Sequence, residues 1–151
     1  MEITVKTFEE LSLQELYKIL QLRAEVFVVE QNCVYQDIDG KDEKALHILG
    51  FNKDELVAYT RCFKPGDYFE MASIGRVIVK ENHRRHNYGH EIIKASVSEI
   101  EKRFKTKEIK LSAQQYLTRF YETHGFQATG EGYLEDGIPH IAMVKNNLFT
   151  Q

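Results

Sequence analysis

The chain has 151 residues, of which 42% are hydrophobic, and its formal net charge is −3 at pH 7. This length favours a single domain over residues 1–151, and so small a charge argues against a nucleic-acid partner or a membrane-surface role. No apolar run approaches the roughly 20 residues of a membrane span, and the N-terminus lacks a secretory pattern. Two cysteines do not form a disulfide framework. We therefore expect a soluble, cytoplasmic protein with reduced thiols.

The N-terminal part of the chain is predicted to hold a strand, a helix and a hairpin. Residues 2–8 alternate apolar and polar side chains, as a strand does. A capping box at residues 12–15 precedes apolar side chains at helical spacing, which predicts a helix of about four turns over residues 13–27. The polar, acidic segment 35–43 is predicted to be an ordered loop, and residues 45–63 a hairpin.

The rest of the chain is predicted to alternate strands and helices. In order, the predicted elements are a strand over 69–79, an amphipathic helix that follows residue 88, a strand over 108–112, a short helix over 117–124 and a hairpin over 126–145. The whole order, β-α-β-β-β-α-β-α-β-β, is typical of an α/β chain with a mixed sheet and helices on its faces. The strand–helix–strand unit over 74–112 is expected to be parallel and right-handed.

The most informative segment is residues 73–94, where a β-branched run ends in a loop rich in Arg, His, Asn and Gly, and a helix follows at once. Such a turn leaves backbone N–H groups unpaired at the positive end of the helix dipole, which together bind anions. Arg84, Arg85 and nearby histidines add charge for a phosphate or pyrophosphate. The turn therefore predicts a phosphate-bearing cofactor.

Residues 84–89, Arg-Arg-His-Asn-Tyr-Gly, fill the place of a donor loop of the pattern Arg/Gln-x-x-Gly-x-Gly/Ala, and residues 22–31, 120–126 and 137–143 carry further matches. These four segments, in this order, resemble the GNAT superfamily of acetyl-CoA-dependent N-acyltransferases, and most closely its small ElaA-like branch. Asn87 stands where the superfamily usually has Gly. Because Asn is the residue other than Gly that most readily adopts a left-handed backbone, we expect the turn to form.

The resemblance implies the fold and the reaction. The GNAT-like fold has a central mixed, mostly antiparallel sheet with one splayed parallel strand pair and flanking helices. The reaction is the transfer of the acetyl group from acetyl-CoA, without a metal, to a primary amine of a small molecule or a peptide. Tyr121, which lies in a Phe-Tyr-Glu-x-x-Gly-Phe segment, would be the general acid. Proteins of this fold often associate through the sheet edge or the C-terminal hairpin, so a homodimer is a further expectation.

The resemblance also implies where the co-substrate binds. One strand segment would pair with the pantetheine arm, and a backbone N–H of this strand would polarise the thioester carbonyl. The donor loop and the first turn of the next helix would hold the pyrophosphate. The predicted residues are Val77, Ile78, Val79, Arg84, Arg85, His86, Asn87, Tyr88, Gly89 and His90.

The general base and the acceptor pocket are less specified by the sequence. The candidate bases are Glu30, Asp39, His47 and His140, with a water chain as a substitute; Glu30 and His140 rank first because they lie in family-like segments. The acceptor pocket is expected between the first helix, the acidic loop and the final hairpin. Its predicted residues are Arg23, Glu25, Phe27, Glu30, Gln31 and His47.

The acidic loop has two interpretations. Glu30, Asp37, Asp39 and Asp42 would attract a cationic amine by long-range electrostatics. Alternatively, the loop is solvated and its carboxylates only aid solubility.

Three other functions rank lower. Three histidines between residues 83 and 90 have spacings that suit a metal, but no Cys or carboxylate completes a ligand set. The basic stretch over residues 83–86 lacks the aromatic platform of a nucleic-acid site. A non-catalytic module that binds acyl-CoA as a sensor stays the main alternative, and the presence of Tyr121 favours the enzyme.

Overall fold

A seven-stranded sheet in the order β1-β2-β3-β4-β5-β7-β6 organises residues 1–146, the part of the chain that this computed structural model describes. The strands are β1 Glu2–Thr7, β2 Leu46–Asn52, β3 Glu55–Phe63, β4 Ala72–Val79, β5 Ile109–Gln114, β6 Gln127–Glu135 and β7 Ile138–Lys145. All neighbours are antiparallel except β4 and β5, which are parallel. The predicted mixed sheet with one parallel pair is confirmed. The predicted domain also includes residues 147–151, which lie outside the described residues.

The first helix begins at its predicted residue, continues to Glu30, beyond the predicted residue 27, and changes its geometry part-way. The α-helix α1, Leu13–Arg23, begins at a Ser12 cap whose hydroxyl accepts from the Glu15 N–H at 3.0 Å. The same rod continues as a π-helix over Ala24–Glu30, in which hydrogen bonds span five residues instead of four. Apolar periodicity predicted the helix through residue 27 and did not predict this wider winding.

The second helix, α2, spans Tyr88–Phe104 and buries one apolar face on the sheet, with Ile92, Ile93 and Ile100 fully enclosed. The short α3, Thr118–Glu122, follows β5. Successive residues of β3 belong to different core clusters: Ala58 packs with the α2 face and Tyr59 with the α1 face. Because side chains alternate across a strand, α1 and α2 cover opposite faces of the sheet.

The parallel pair opens almost as soon as it forms. Only Ala72 with Ile109 and Ser73 with Lys110 are in register, and beyond these residues β4 and β5 separate. On the other side of β4, Gly75 pairs with Arg61 of β3 and Ile78 pairs with Tyr59. One residue of β3, Thr60, therefore lies opposite two residues of β4, Arg76 and Val77. This arrangement is a β-bulge. The separation produces the predicted splayed pair and a cleft in the middle of the sheet.

Within residues 1–146, no helix combines the length and the apolar character that a membrane crossing requires.

Candidate active site

The cleft between β4 and β5 leads into two adjoining hollows. The loop-side groove runs along the end of β4 to the loop before α2, under the π-helix and α3. The hairpin-side pocket lies between β4, β5 and the β6–β7 hairpin. The residues that line both are Phe27, Gln31, Val77, Gln114, Leu117 and Tyr121. A molecule in the groove and a molecule in the pocket would therefore meet at this shared wall.

The loop that enters α2 has the left-handed geometry expected of an anion-binding turn. Asn87 adopts φ 68° at the N-cap of α2, as its residue type predicted, and Arg85 adopts φ 76°. No side chain caps the helix, so the first N–H groups of α2 are left without an intrahelical partner beside the groove. A Cβ at Gly89 would lie 3.3 Å from the Phe120 ring, so glycine allows α2 to approach α3 closely.

Arg84 connects the predicted donor loop to the π-helix. Its Nε donates to the Val79 carbonyl at 2.9 Å, and its guanidinium forms a two-pronged ion pair with Glu30 at 2.7 and 3.0 Å. Glu30 was predicted as a base and as an acceptor residue, and the structure places it in the loop-side groove with its carboxylate already paired. Because the partners are 54 residues apart, this pair could not be predicted from the sequence.

Two histidines join the N-terminus of α2 to the end of α3. His90 Nδ1 lies 2.9 Å from His124 Nε2, and the His90 ring packs on Phe120 at 4.7 Å between centroids. Burial, together with the nearby His90, lowers the pKa of His124 to about 4, so His124 is neutral at pH 7. His90 lines the loop-side groove, whereas the predicted His86 does not and packs against the Tyr88 ring.

Tyr121 occupies the wall between groove and pocket. Its side chain is 5% exposed and packs edge-on against Phe120 and Phe126. Among the described residues, none forms a hydrogen bond with its hydroxyl. Burial, with the nearby Tyr116, raises the pKa of Tyr121, so the phenol stays protonated at neutral pH. The site therefore presents an O–H donor where the two hollows meet.

His140 projects into the hairpin-side pocket with a defined tautomer. Its Nδ1 lies 2.7 Å from the Ile138 carbonyl oxygen, which can only accept, so Nδ1 carries the proton and Nε2 carries a lone pair. Nε2 is 3.5 Å from a carboxylate oxygen of Glu135, which lines the same pocket. Only 6% of the surface of His140 is exposed. The pocket therefore places an imidazole nitrogen beside a carboxylate.

The acidic loop is neither an attractor for cations nor a solvated tail. Its carboxylates alternate with three arginines that come from the end of α1, from β3 and from β4. The ion pairs are Arg23 with Asp37 (2.8 Å) and Asp42 (2.7 Å), Arg61 with Asp39 (2.8 Å) and Asp42 (3.0 Å), and Arg76 with Asp37 (2.8 Å). Burial opposes ionisation of Asp39 and Asp42, but the guanidinium groups outweigh it and lower the pKa of both carboxyls. Both sequence interpretations of this loop are wrong.

Three predicted acceptor residues lie away from both hollows. Arg23 is fully buried in the ion-pair network, and His47 is fully buried between the Tyr59 hydroxyl (2.6 Å) and the Asp42 carbonyl (3.0 Å). Burial lowers the pKa of His47, so it is neutral at pH 7. Glu25 is exposed and lines a separate depression beside Lys80. Phe27 and Gln31, in contrast, lie on the shared wall.

Several lining residues were not singled out from the sequence. Glu135 and Asp136 bring the negative charge of the hairpin-side pocket, and Ser112 and Gln114 bring polar groups from β5. The turn Glu135-Asp-Gly was visible as a hairpin signal, but a turn sequence does not reveal which cleft it overhangs. Over residues 1–146, the structure contains no group of three or more His, Cys, Asp or Glu side chains placed to hold a metal ion.

Residues 8–147 match the family model of the acetyltransferase (GNAT) domain. The chain belongs to the GNAT acetyltransferase family. Protein ElaA of Escherichia coli (strain K12) is 48% identical over 138 residues, which cover 90% of each chain. The resemblance of the four sequence segments is thereby confirmed.

Solved structures agree with this GNAT assignment. The crystal structure of Escherichia coli ElaA superposes with a TM-score of 0.90 at 45% identity, and an acyl-CoA N-acyltransferase from Pseudomonas aeruginosa with 0.91 at 39%; each covers 96% of this chain and 99% of its own. An aminoglycoside 6'-N-acetyltransferase complexed with coenzyme A shares the fold, with a TM-score of 0.71 at 15% identity over 94% of this chain and 96% of that one. The predicted GNAT fold is confirmed, and acyl transfer from acyl-CoA is the chemistry of the family.

Proposed function

We propose that this protein, as a single domain over residues 1–151, transfers the acetyl group of acetyl-CoA to a primary amine. The donor occupies the loop-side groove, and the amine enters the hairpin-side pocket. The observation that carries this proposal is the position of Tyr121, a buried and protonated phenol on the wall that the groove and the pocket share.

The residues of the groove fit coenzyme A. The helix start at Asn87 offers uncapped N–H groups, Arg84 and Arg85 offer positive charge, and Gly89 keeps the approach between α2 and α3 free of a side chain. A structural neighbour complexed with coenzyme A supports the choice of coenzyme A as the ligand. When bound, acetyl-CoA supplies the thioester. The groove residues among those predicted for it are Val77, Ile78, Val79, Arg84, Arg85, Asn87, Tyr88, Gly89 and His90.

Tyr121 stabilises the leaving sulfur. Its hydroxyl has no partner in the protein among residues 1–146, so it is free to donate to a sulfur atom that gains charge as the bond to the acyl carbon breaks. A thiol has a pKa near 8.5, below that of a phenol, and burial raises the phenol pKa further. The hydrogen bond therefore supplies most of the stabilisation, and complete proton transfer is secondary.

His140 is the base that prepares the amine. An ammonium group must lose a proton before its nitrogen attacks, and the Nε2 lone pair of His140 faces the pocket. The carboxylate of Glu135, 3.5 Å away, stabilises the charged imidazolium that results. Glu30 is less suited to this task because Arg84 already neutralises its charge. We propose instead that Glu30 competes with the pyrophosphate for Arg84.

The test is an assay of free thiol with acetyl-CoA and a panel of simple amines, polyamines, aminoglycosides and peptides. We expect thiol release that depends on one amine class, and a fall of about 10²-fold in kcat for His140→Gln. His83→Gln is the matched control, since His83 lines neither hollow. Binding of coenzyme A by calorimetry without any amine-dependent thiol would contradict the enzyme and support an acyl-CoA sensor.

A further inference from the structure

Arg76 has a backbone conformation that its residue type disfavours. It lies inside β4 with φ 47°, in the left-handed region, at the bulge where Thr60 of β3 faces two residues of β4. Bulges with a left-handed first residue usually place glycine there, because a Cβ makes this conformation costly. An arginine at this position requires an interaction that holds it.

The side chain of Arg76 is anchored on the loop that follows the π-helix. Its Nε donates to an Asp37 carboxylate oxygen at 2.8 Å, and its Nη2 donates to the Asp37 carbonyl at 3.0 Å and lies 3.5 Å from an Asp39 oxygen. Asp37 is itself buried and ion-paired at 2.8 Å to Arg23, which has no exposed surface. Arg23 therefore holds Asp37, the group to which Arg76 is anchored, in place.

Two aromatic rings of the pocket complete the anchor. The Arg76 guanidinium lies 6.0 Å from the Phe27 ring centroid and 5.7 Å from that of Tyr35, and both rings line the hairpin-side pocket. Cation–π attraction adds to the ion pairs and fixes the guanidinium between the loop and the π-helix.

The bulge lies beside the wall at which the proposed function brings the acyl group and the amine together. Gly75, Arg76 and Val77 line the hairpin-side pocket, and Val77 also lines the groove. Arg76 and Val77 have no register partner in β3, and β5 has already separated from β4. We propose that Arg76 is a positioning residue, whose ion pairs with Asp37 and Asp39 hold the left-handed bulge that turns β4 N–H groups toward the acyl carbonyl of the donor.

The proposal predicts an unusual order of stability between the glycine and alanine variants of Arg76. This order can be measured without any substrate. Within a strand, glycine is normally less stabilising than alanine. At a left-handed position we expect the opposite, so the thermal unfolding midpoint of Arg76→Gly should exceed that of Arg76→Ala by about 2–4 °C. Thr4, which lies in β1 and has no left-handed backbone, is the control position. There the unfolding midpoint of Thr4→Ala should exceed that of Thr4→Gly. An Arg76→Ala midpoint equal to or above that of Arg76→Gly would overturn the proposal.

The catalytic consequence rests on the proposed function and has its own measurement. With acetyl-CoA and the amine found in the panel, Arg76→Ala should lower kcat by at least about tenfold with KM for acetyl-CoA within about twofold, because a displaced oxyanion donor acts on the transition state. Arg76→Gly should retain several-fold more activity than Arg76→Ala. Equal kcat in the two variants would overturn the positioning role.

The outcomes separate the two proposals. If the unmutated protein releases no thiol, the proposed function fails, while the unfolding midpoints still decide whether Arg76 holds a strained bulge. If Arg76→Ala does not fold, Arg76→Asn joins the comparison, because asparagine tolerates left-handed backbone. Folded Gly and Asn variants would then support the proposal, and the failure of all three to fold would contradict it.

Discussion

At the scale of single residues, the Tyr121 hydroxyl is a polar group that the fold does not use. Among residues 1–146 it has no hydrogen-bond partner, and the ring alone packs against Phe120 and Phe126. Removal of this oxygen should therefore leave the packing intact and affect only the reaction.

We expect Tyr121→Phe to lower kcat by about 10- to 100-fold and to leave the dissociation constant of coenzyme A unchanged, since the hydroxyl acts on charge that develops at sulfur. Steady-state kinetics and calorimetry separate the two quantities. Tyr116→Phe is the matched control, because Tyr116 lines the same groove but is 78% exposed. An equal loss in kcat and in coenzyme A affinity would assign Tyr121 to binding or packing.

A left-handed backbone conformation could be predicted from the sequence only where the residue type favours it. Asn87 lies in the left-handed region, as its chemistry and its place in the donor loop predicted. Arg76 and Arg85 are also left-handed, and nothing in their residue type signals it. Arg76 donates to Asp37, 39 residues away, and this tertiary contact is not visible in the sequence.

At the scale of elements, the π-helix over Ala24–Glu30 brings the first helix into the site. Its wider turn places Phe27 on the shared wall and Glu30 in the loop-side groove, while Glu25 lies outside the groove. A regular α-helix would rotate these side chains differently about the axis. Apolar spacing predicted a helix here, and the resemblance to the GNAT family implied an acceptor role for its end. A change of winding leaves no periodic signal.

The contact between this π-helix and the donor loop is an ion pair that a bound pyrophosphate would compete with. Glu30→Gln removes a negative charge from the groove and releases Arg84, so we expect coenzyme A to bind about 3- to 10-fold more tightly, as measured by calorimetry. Glu25→Gln, on the same π-helix but outside the groove, should have no effect. Weaker binding by Glu30→Gln would mean that Glu30 holds Arg84 in the binding position.

At the scale of the whole molecule, a buried charge network ties three distant parts of the chain together. Asp42 accepts from Arg23 at the end of α1 and from Arg61 in β3, at 2.7 and 3.0 Å. Ion pairs of this kind add little net stability when complete, but the loss of one partner leaves a buried charge uncompensated.

We therefore expect Asp42→Ala to lower the free energy of unfolding by about 3–5 kcal/mol in urea denaturation at pH 7. Glu55→Ala breaks the exposed pair with Lys80 and should cost less than about 1 kcal/mol. Similar losses in the two variants would show that the network contributes no more than a surface ion pair.

The global arrangement was predictable in outline, and the charge network was not. The order of elements along the chain, the mixed sheet and its parallel pair follow from local periodicity and from the resemblance to the GNAT fold, and the structure confirms them. The acidic residues Asp37, Asp39 and Asp42 were expected to face solvent or substrate, because a single sequence does not show that arginines 23, 61 and 76 converge on them. Charge pairing over long sequence separations is decided by the fold.

The early separation of β4 from β5 has an energetic consequence. A sheet that opens in its middle leaves residues 75–77 of its central strand partly exposed. A ligand that covers them binds only the folded chain, so binding and folding are linked by mass action, by about 2.7 kcal/mol at a ligand concentration one hundred times its dissociation constant. The thermal unfolding midpoint, measured with each thioester in turn, can therefore rank acyl chains of different length by affinity before any acceptor is known.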